Sequence, residues 1–234
     1  MNLLTDSILP IRTFPAQRQN YRKIICLYHG WGSSVTKYED FARMLSEQGF
    51  TVIVPELHLH DSRDRLEACF DRGVVERHFW QIVFQSIEES VTLVKQLNVT
   101  QVDIIWLGVS MGGFIASGIA AKQQGSAGVI NINGSGSFLF SEQLFRQRDN
   151  RADLTLEEEQ RLQGYDPVLQ ATSAPTLFVH GQCDTVIPIE TQEHCVQQST
   201  ELNRDLTFLK YPSINHTVSD QMVSDVLDWL NQRF

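Results

Sequence analysis

A chain of 234 residues is long enough for one α/β domain with a sizeable core. Hydrophobic residues make up 42% and charged residues 20%, which excludes a disordered chain. The formal net charge of −9 repels nucleic acid and anionic lipid, so neither is an expected partner.

The first twenty residues, Met1 to Asn20, lack a cationic start followed by an apolar run: Leu3 and Leu4 give way at once to Thr5, Asp6 and Ser7. A secretory signal is therefore not expected. Nor does any stretch of about 18 apolar residues suggest a membrane span. Cys26, Cys69, Cys183 and Cys195 lie far apart without a C-x-x-C pair. That spacing fits reduced thiols and a cytoplasmic protein.

Apolar strand-like runs then alternate with amphipathic segments. Ile24–Tyr28 reads as a strand, Tyr38–Gln48 as a helix closed by Gly49, and Phe50–Val54 as a strand stopped by Pro55. Arg77–Leu97 repeats Phe79, Val83, Ile87, Val91 and Val94 at helical spacing. Val102–Leu107 is a strand, Gly112–Gln124 a small-residue helix, Ala127–Ile132 and Thr176–Val179 strands, Ile189–Thr200 a helix, Leu206–Tyr211 a strand and Val218–Phe234 the closing helix. Continuous apolar strands separated by helices predict a mostly parallel central sheet with helices on both faces. One interval breaks the rhythm. Residues 137–170 carry no strand signal, are mostly polar, and offer one helix start, a Thr155/Glu158 capping box. An insertion there, on the carboxyl side of the sheet, is the place for a short lid over a site. The expectation is a single domain over residues 1–234 with a small lid at 137–170.

Chemistry enters at Gly108-Val109-Ser110-Met111-Gly112, a G-x-S-x-G pattern with a strand before it and a small-residue helix after it. That context makes Ser110 a candidate nucleophile on a sharp strand-to-helix elbow. A serine hydroxyl is a weak nucleophile at neutral pH and needs an adjacent base. After such an elbow the order is Ser, Asp or Glu, His. Asp184, in His180-Gly181-Gln182-Cys183-Asp184, follows one predicted strand, and His216, in Ile214-Asn215-His216, follows another. His180 is read as packing beneath its loop and Cys183 as a small loop residue. Charge developing on a substrate carbonyl needs two backbone donors. Met111, next to the serine, supplies one. The glycine-rich His29-Gly30-Trp31-Gly32-Ser33-Ser34 loop supplies the other, with Trp31 as the expected donor and Gly32 as second choice. Together these form a candidate catalytic set of Ser110, Asp184 and His216 with an oxyanion hole at Trp31 and Met111, needing no metal or organic cofactor.

The motifs HGWGSS, GVSMGG, HGQCDTVIP and INH, in that order, resemble the α/β-hydrolase superfamily over almost the whole chain. Within it the chain resembles small bacterial carboxylesterases of the YitV/YjfP type, relatives of the prolyl-oligopeptidase catalytic domain without its propeller. His78-Phe79-Trp80-Gln81-Ile82 and the Pro55–Arg63 loop add to that likeness. The group usually has His-Gly where this chain has His60-Asp61, so no substrate role is carried over to His60. The resemblance implies the α/β-hydrolase fold and cleavage of short-chain carboxylic esters of small molecules. Activity is then expected to fall below roughly pH 6.5, where an unperturbed histidine protonates. Thioester or amide cleavage on the same residues is an alternative, and so is a non-catalytic binding protein of the same fold. A dehalogenase is excluded, because its elbow needs a carboxylate where Ser110 stands. Phe138, Leu139, Phe140, Leu144 and Phe145 suggest an apolar acyl pocket of modest size under the lid.

Overall fold

The computed structural model describes residues 8–18, 23–170, 172–201 and 205–234. Residues 1–7, where the expectation of no secretory signal begins, lie outside them. Within the described residues the strands are β1 (Ile11–Phe14), β2 (Ile24–Tyr28), β3 (Thr51–Pro55), β4 (Ile104–Val109), β5 (Gly128–Ile132), β6 (Thr176–Gly181) and β7 (Leu206–Tyr211). They form one sheet in the order β1-β3-β2-β4-β5-β6-β7. Only the β1–β3 pair is antiparallel; the other pairs run parallel. The helices are α1 (Glu39–Glu47), α2 (Arg72–Leu97), α3 (Met111–Lys122), α4 (Phe138–Arg148), α5 (Leu156–Gln163), α6 (Ile189–Glu201) and α7 (Asp220–Arg233). None is long and apolar enough to cross a membrane.

The apolar runs are continuous because both faces of the sheet are covered. Ile25, Leu27, Ile105 and Leu107 point into a core shared with Leu45 of α1 and Val226 and Leu230 of α7. Their neighbours Cys26, Tyr28, Ile104 and Trp106 point the other way, into a core with Ile82 and Ile87 of α2 and Phe114 and Ile119 of α3. This period of two, with apolar residues at both phases, is what a central parallel strand requires. Helix α3 is buried from Met111 to Ala121, which explains its small-residue composition. A large side chain at Gly118 would strike Ile87 of the neighbouring α2.

Register brings the carboxyl ends of the parallel strands to one edge. Tyr28 pairs with Gly108, Val109 with Ile132, and Gly181 with Tyr211. Every loop carrying a candidate site residue leaves the sheet there.

Three elements depart from the expectations. Strand β1 was not anticipated; it is a four-residue edge strand with exposed Arg12 and Thr13, too short and polar to read as a run. Helix α2 begins at Arg72, five positions before Arg77. Residues 137–170 hold two helices rather than one. Helix α5 has the expected cap: Thr155 Oγ1 accepts the Glu158 N–H at 3.2 Å and the Glu158 carboxylate accepts the Thr155 N–H at 2.8 Å. Helix α4 was missed because its apolar residues face three different environments rather than one.

Candidate active site

Ser110 sits between β4 and α3 with φ 58° and ψ −122°. A non-glycine residue in that region costs of order 1–3 kcal/mol and persists only where its surroundings impose it. Here they do. The Ser110 N–H donates to Ile132 O at 2.8 Å, and Ser110 O accepts the Gly113 N–H at 2.8 Å. A Cβ on Gly108 would lie 1.8 Å from Gly112 O, and one on Gly112 would lie 2.1 Å from Tyr28 O. The elbow thus needs glycine at both flanks because backbone passes against backbone.

The three chain-distant side chains meet. His216 Nδ1 lies 2.7 Å from Asp184 Oδ2, and His216 Nε2 lies 2.8 Å from Ser110 Oγ. A carboxylate only accepts, so Nδ1 carries the proton, and Nε2 is left as the acceptor of the serine hydroxyl. Asp184 is fixed on its other oxygen, where Oδ1 accepts the Val186 and Ile187 N–H groups, both at 2.9 Å. Burial alone would raise the Asp184 carboxyl. Hydrogen bonds from His180 and His216, the charge of His216 and the Ile187 amide outweigh it and hold Asp184 well below the usual carboxylate range. His180 lies beneath this loop as expected, with Nε2 donating to Ile187 O at 2.9 Å and standing 3.4 Å from Asp184 Oδ2. Cys183 is exposed, and none of the four cysteines forms a disulfide.

Three asparagines hold these turns together, and none was singled out from the sequence. Asn131 donates to Gly113 O at 3.0 Å and accepts the Gly134 N–H at 3.0 Å, locking the first turn of α3 to the end of β5. Asn133, at φ 50°, accepts the Gly181 N–H at 3.0 Å and donates to Thr217 O at 2.8 Å. Asn215 accepts the Thr185 N–H at 3.0 Å and the His216 N–H at 2.7 Å, tying the acid loop to the histidine loop. The available signal was polar Asn131 and Asn133 inside an otherwise apolar strand end. Buried amides persist there only when fully hydrogen-bonded.

The loop after β2 lies against Ser110: a Cβ on Gly30 would stand 3.6 Å from Ser110 Oγ. Its amides are nearly all used. Gly30 N–H donates to the Tyr38 hydroxyl at 3.2 Å, and Ser33 N–H to Gly30 O at 3.2 Å. Gly32 N–H donates to His60 Nε2 at 3.1 Å. Gly32, the second choice as oxyanion donor, is therefore already engaged. Over residues 30–33 the Trp31 N–H alone has no acceptor among the described residues, and Met111, as first residue of α3, has none within its helix. Both remain open to a substrate oxygen.

Ser110 and His216 open into a cleft of about 540 Å³. Trp31, Phe79, Trp80 and Phe145 give it aromatic walls, Val186 and Ile187 close the acid-loop side, and Arg72, Arg148 and Arg151 stand around it. Of the apolar residues expected to form the pocket, only Phe145 lines it. Phe138 is fully buried against Phe114 and Trp80, Leu139 packs on the core, and Phe140 stacks on His194 at 4.7 Å. Helix α4 also supplies Glu142, a buried carboxylate that accepts from Trp80 Nε1 at 2.8 Å, Arg146 Nε at 2.8 Å and Arg151 at 2.9 Å. It clamps α4 to α2 across the cleft wall.

Comparison with known proteins places the chain in a family. Residues 19–135 match the family model described as Serine aminopeptidase, S33, and residues 81–234 match that of the prolyl oligopeptidase family. The chain is 27% identical over 224 residues to Esterase YjfP of Escherichia coli (strain K12), covering 89% of this chain and 88% of that protein. It is 24% identical over 246 residues to YitV of Bacillus subtilis (strain 168), covering 96% and 95%. The crystal structure of esterase PE8 superimposes with a TM-score of 0.67 at 17% identity, over 97% of this chain and 99% of that one. The second family model spans well over half of the sequence, and the fold matches throughout: the chain belongs to the prolyl oligopeptidase family of α/β-hydrolases.

Proposed function

We propose that the protein is a serine hydrolase that cleaves short-chain carboxylic esters of small molecules through an acyl-enzyme on Ser110. The observation that carries this is the unbroken Ser110–His216–Asp184 hydrogen-bond chain at 2.8 and 2.7 Å, opening into an apolar cleft. Ser110 Oγ attacks the ester carbonyl as His216 Nε2 takes its proton. Asp184 holds the ring in the tautomer this needs and stabilises the imidazolium. The oxyanion accepts the N–H groups of Trp31 and Met111, each such donor being worth about 3 kcal/mol in the transition state. His216 then gives its proton to the departing alcohol, and water, activated by the same imidazole, releases the acid. These steps use only protein side chains and backbone. The cleft volume suits a small molecule. Residues 137–170 act as its lid, and four cysteines outside any disulfide favour the cytoplasm.

An ester is favoured over an amide by the likeness to Esterase YjfP, while both family models carry peptidase names. The test is a panel of matched nitrophenyl esters, acyl thioesters and anilides on wild type and Ser110→Ala, with fluorophosphonate labelling read by mass spectrometry. Ester turnover that vanishes in Ser110→Ala, with the label on Ser110, is expected. Equal or better anilide turnover would move the protein to the peptidases. An unlabelled Ser110 in folded protein would make it a binding module.

A further inference from the structure

The loop between β3 and α2 carries a second histidine–aspartate pair, His60 and Asp61, which the reaction above does not use. Both side chains grip the loop that presents Trp31. His60 Nδ1 lies 3.0 Å from His58 O, and a carbonyl only accepts, so Nδ1 carries the proton. Nε2 is then a bare lone pair, and it faces the Gly32 N–H at 3.1 Å, which only donates. The ring is 3% exposed, and burial, the largest influence on it, lowers its pKa to about 4, so the accepting form persists at neutral pH. Asp61 Oδ1 accepts the Val35 N–H at 3.0 Å, and its Oδ2 stands 3.3 Å from Nε2 of the fully buried His29 with no hydrogen bond between the two atoms. His29 in turn donates from Nδ1 to Gly30 O at 2.9 Å.

These contacts bracket one atom. The Trp31 N–H belongs to the Gly30–Trp31 peptide, whose oxygen is held by His29 and by the Ser33 N–H at 3.2 Å. The following peptide, Trp31–Gly32, is held at its N–H by His60. The His60 ring also meets the Trp31 indole edge-on, 5.9 Å between centroids and 85° between planes. Leu59 and Asp61 on either side of His60 have φ of 59° and 49°, a conformation that aspartate tolerates and leucine rarely adopts. Strain of this kind gathers where geometry matters to function.

We infer that His60 and Asp61 are positioning residues for the oxyanion hole, His60 holding the Trp31–Gly32 peptide and Asp61 the Val35 end of the same loop, so that the Trp31 N–H stays aimed at the substrate oxygen. The inference rests on the ester-hydrolase reading above and adds to it the residues that set one of its two donors. Neither side chain touches substrate. Misplacing a donor by about 1 Å is enough to cost on the order of a hundredfold in rate.

The test compares His60→Leu, which removes the acceptor, with His60→Gln, whose amide oxygen can replace Nε2. Asp61→Asn, which keeps an acceptor for Val35, is set beside Asp61→Ala. For each variant, kcat and KM on a nitrophenyl ester, Tm, and the inhibition constant of a trifluoromethyl ketone forming a hemiketal on Ser110 are measured. His60→Leu is expected to lower kcat roughly 30- to 100-fold with KM within about threefold, and to weaken the ketone in proportion. His60→Gln recovers kcat to within about fivefold of wild type, and Asp61→Asn outperforms Asp61→Ala. Equal rates in His60→Leu and His60→Gln would overturn the inference, as would losses confined to KM or tracking Tm alone. Should His60→Leu not fold, His60→Gln and the Asp61 pair decide by the same ratio of kcat to ketone affinity. Absence of Ser110-dependent turnover in the wild type would overturn the ester-hydrolase reading and this inference with it. Full turnover in His60→Leu would remove the inference alone.

Discussion

Ser110, Asp184 and His216 stand on turns whose backbones are pinned by other backbones and by three asparagines, two of them buried, whereas the cleft beside them is walled by side chains that lean on other side chains. At this proposed reaction centre a single methyl group on Gly108 or Gly112 would collide with main chain at 1.8 or 2.1 Å. Across the cleft, α2 and α4 meet through Glu142, Trp80, Arg146 and Arg151, and through the edge-on rings of Phe79 and Phe145, 6.2 Å apart. A rigid centre keeps reacting atoms in register, which is where most of the rate comes from. A wall made of side chains can be re-cut by substitution without moving the sheet. Changes at the centre should therefore act on kcat, and changes in the wall on stability and substrate choice.

The largest effect is expected at the centre. In Asp184→Asn the new amide keeps an oxygen for the Val186 and Ile187 N–H groups but can turn an NH₂ toward His216, favouring the wrong tautomer. The change is nearly isosteric, and kcat should fall by about 10³- to 10⁴-fold with KM little altered. Steady-state kinetics on a nitrophenyl ester measure this. A loss under tenfold would mean that the 2.7 Å contact does not orient His216 in catalysis.

In the wall, Glu142→Leu should act on stability first. The substitution leaves Arg146, Arg151 and Trp80 Nε1 without the acceptor that Glu142 provides, in a site where the carboxylate is only 5% exposed. Removing one partner of a buried ionic cluster costs about 3 kcal/mol, more than the new leucine returns by burial. Denaturant melts should show that loss, while kcat on an acetate ester stays within about threefold because the centre is held independently. A drop in kcat comparable to Asp184→Asn would erase the distinction between the two regions.

The two regions were not equally legible in the sequence, for reasons visible in particular residues. Strands β2, β4, β5 and β6 bury both faces, so Ile24–Tyr28 and its counterparts stand out as apolar runs. The elbow is local: its glycines, serine and helix lie in one stretch, from Gly108 to Lys122. Asp184 and His216 follow from the order of the motifs. The wall gave no such pattern. In Phe138–Arg148 one phenylalanine enters the core, one stacks on His194 and one enters the cleft, so no single helical period survives. The first turn of α2 begins Arg72-Gly73 and has no capping side chain to announce it. Asn131, Asn133 and Asn215 each also reach a partner between 14 and 84 positions away, a relation that only the fold creates. Gly32, the second choice of donor from sequence, is removed only by the fold, which gives its amide to His60.

The loop of His60 joins the two regions, and pH separates its structural part from its part in the reaction. Burial holds the folded imidazole near pH 4, against an ordinary value of 6.5 in the unfolded chain. Between those values the unfolded chain binds a proton that the folded one does not. This contribution is therefore complete above about pH 6.5 and declines as pH falls toward 4, by at most about 1.4 kcal/mol per pH unit. His60→Gln lacks the titrating group. Its stability relative to wild type should improve on going from pH 7.5 to 5, as measured by urea melts at both values. An unchanged difference would place the ring in water rather than in the loop.

Phe145→Ala should produce the smallest and most selective change. Phe145 lines the cleft from α4, packs edge-on against Phe79 and carries the Arg148 guanidinium 5.3 Å above its ring. None of these contacts touches Ser110, His216 or the Trp31 loop. Removing the ring takes apolar surface from the α4 wall of the cleft, on which a longer acyl or alcohol group has more area to pack. Selectivity for apolar groups is worth about 1–3 kcal/mol in such pockets. On a series of nitrophenyl esters from acetate to octanoate, kcat/KM should be unchanged for acetate and fall about tenfold for the longer chains. A uniform loss along the series would show that α4 supports the reaction centre itself. A gain for the longest chains would show that the ring now limits the length of the cleft, and that the wall sets substrate choice by exclusion.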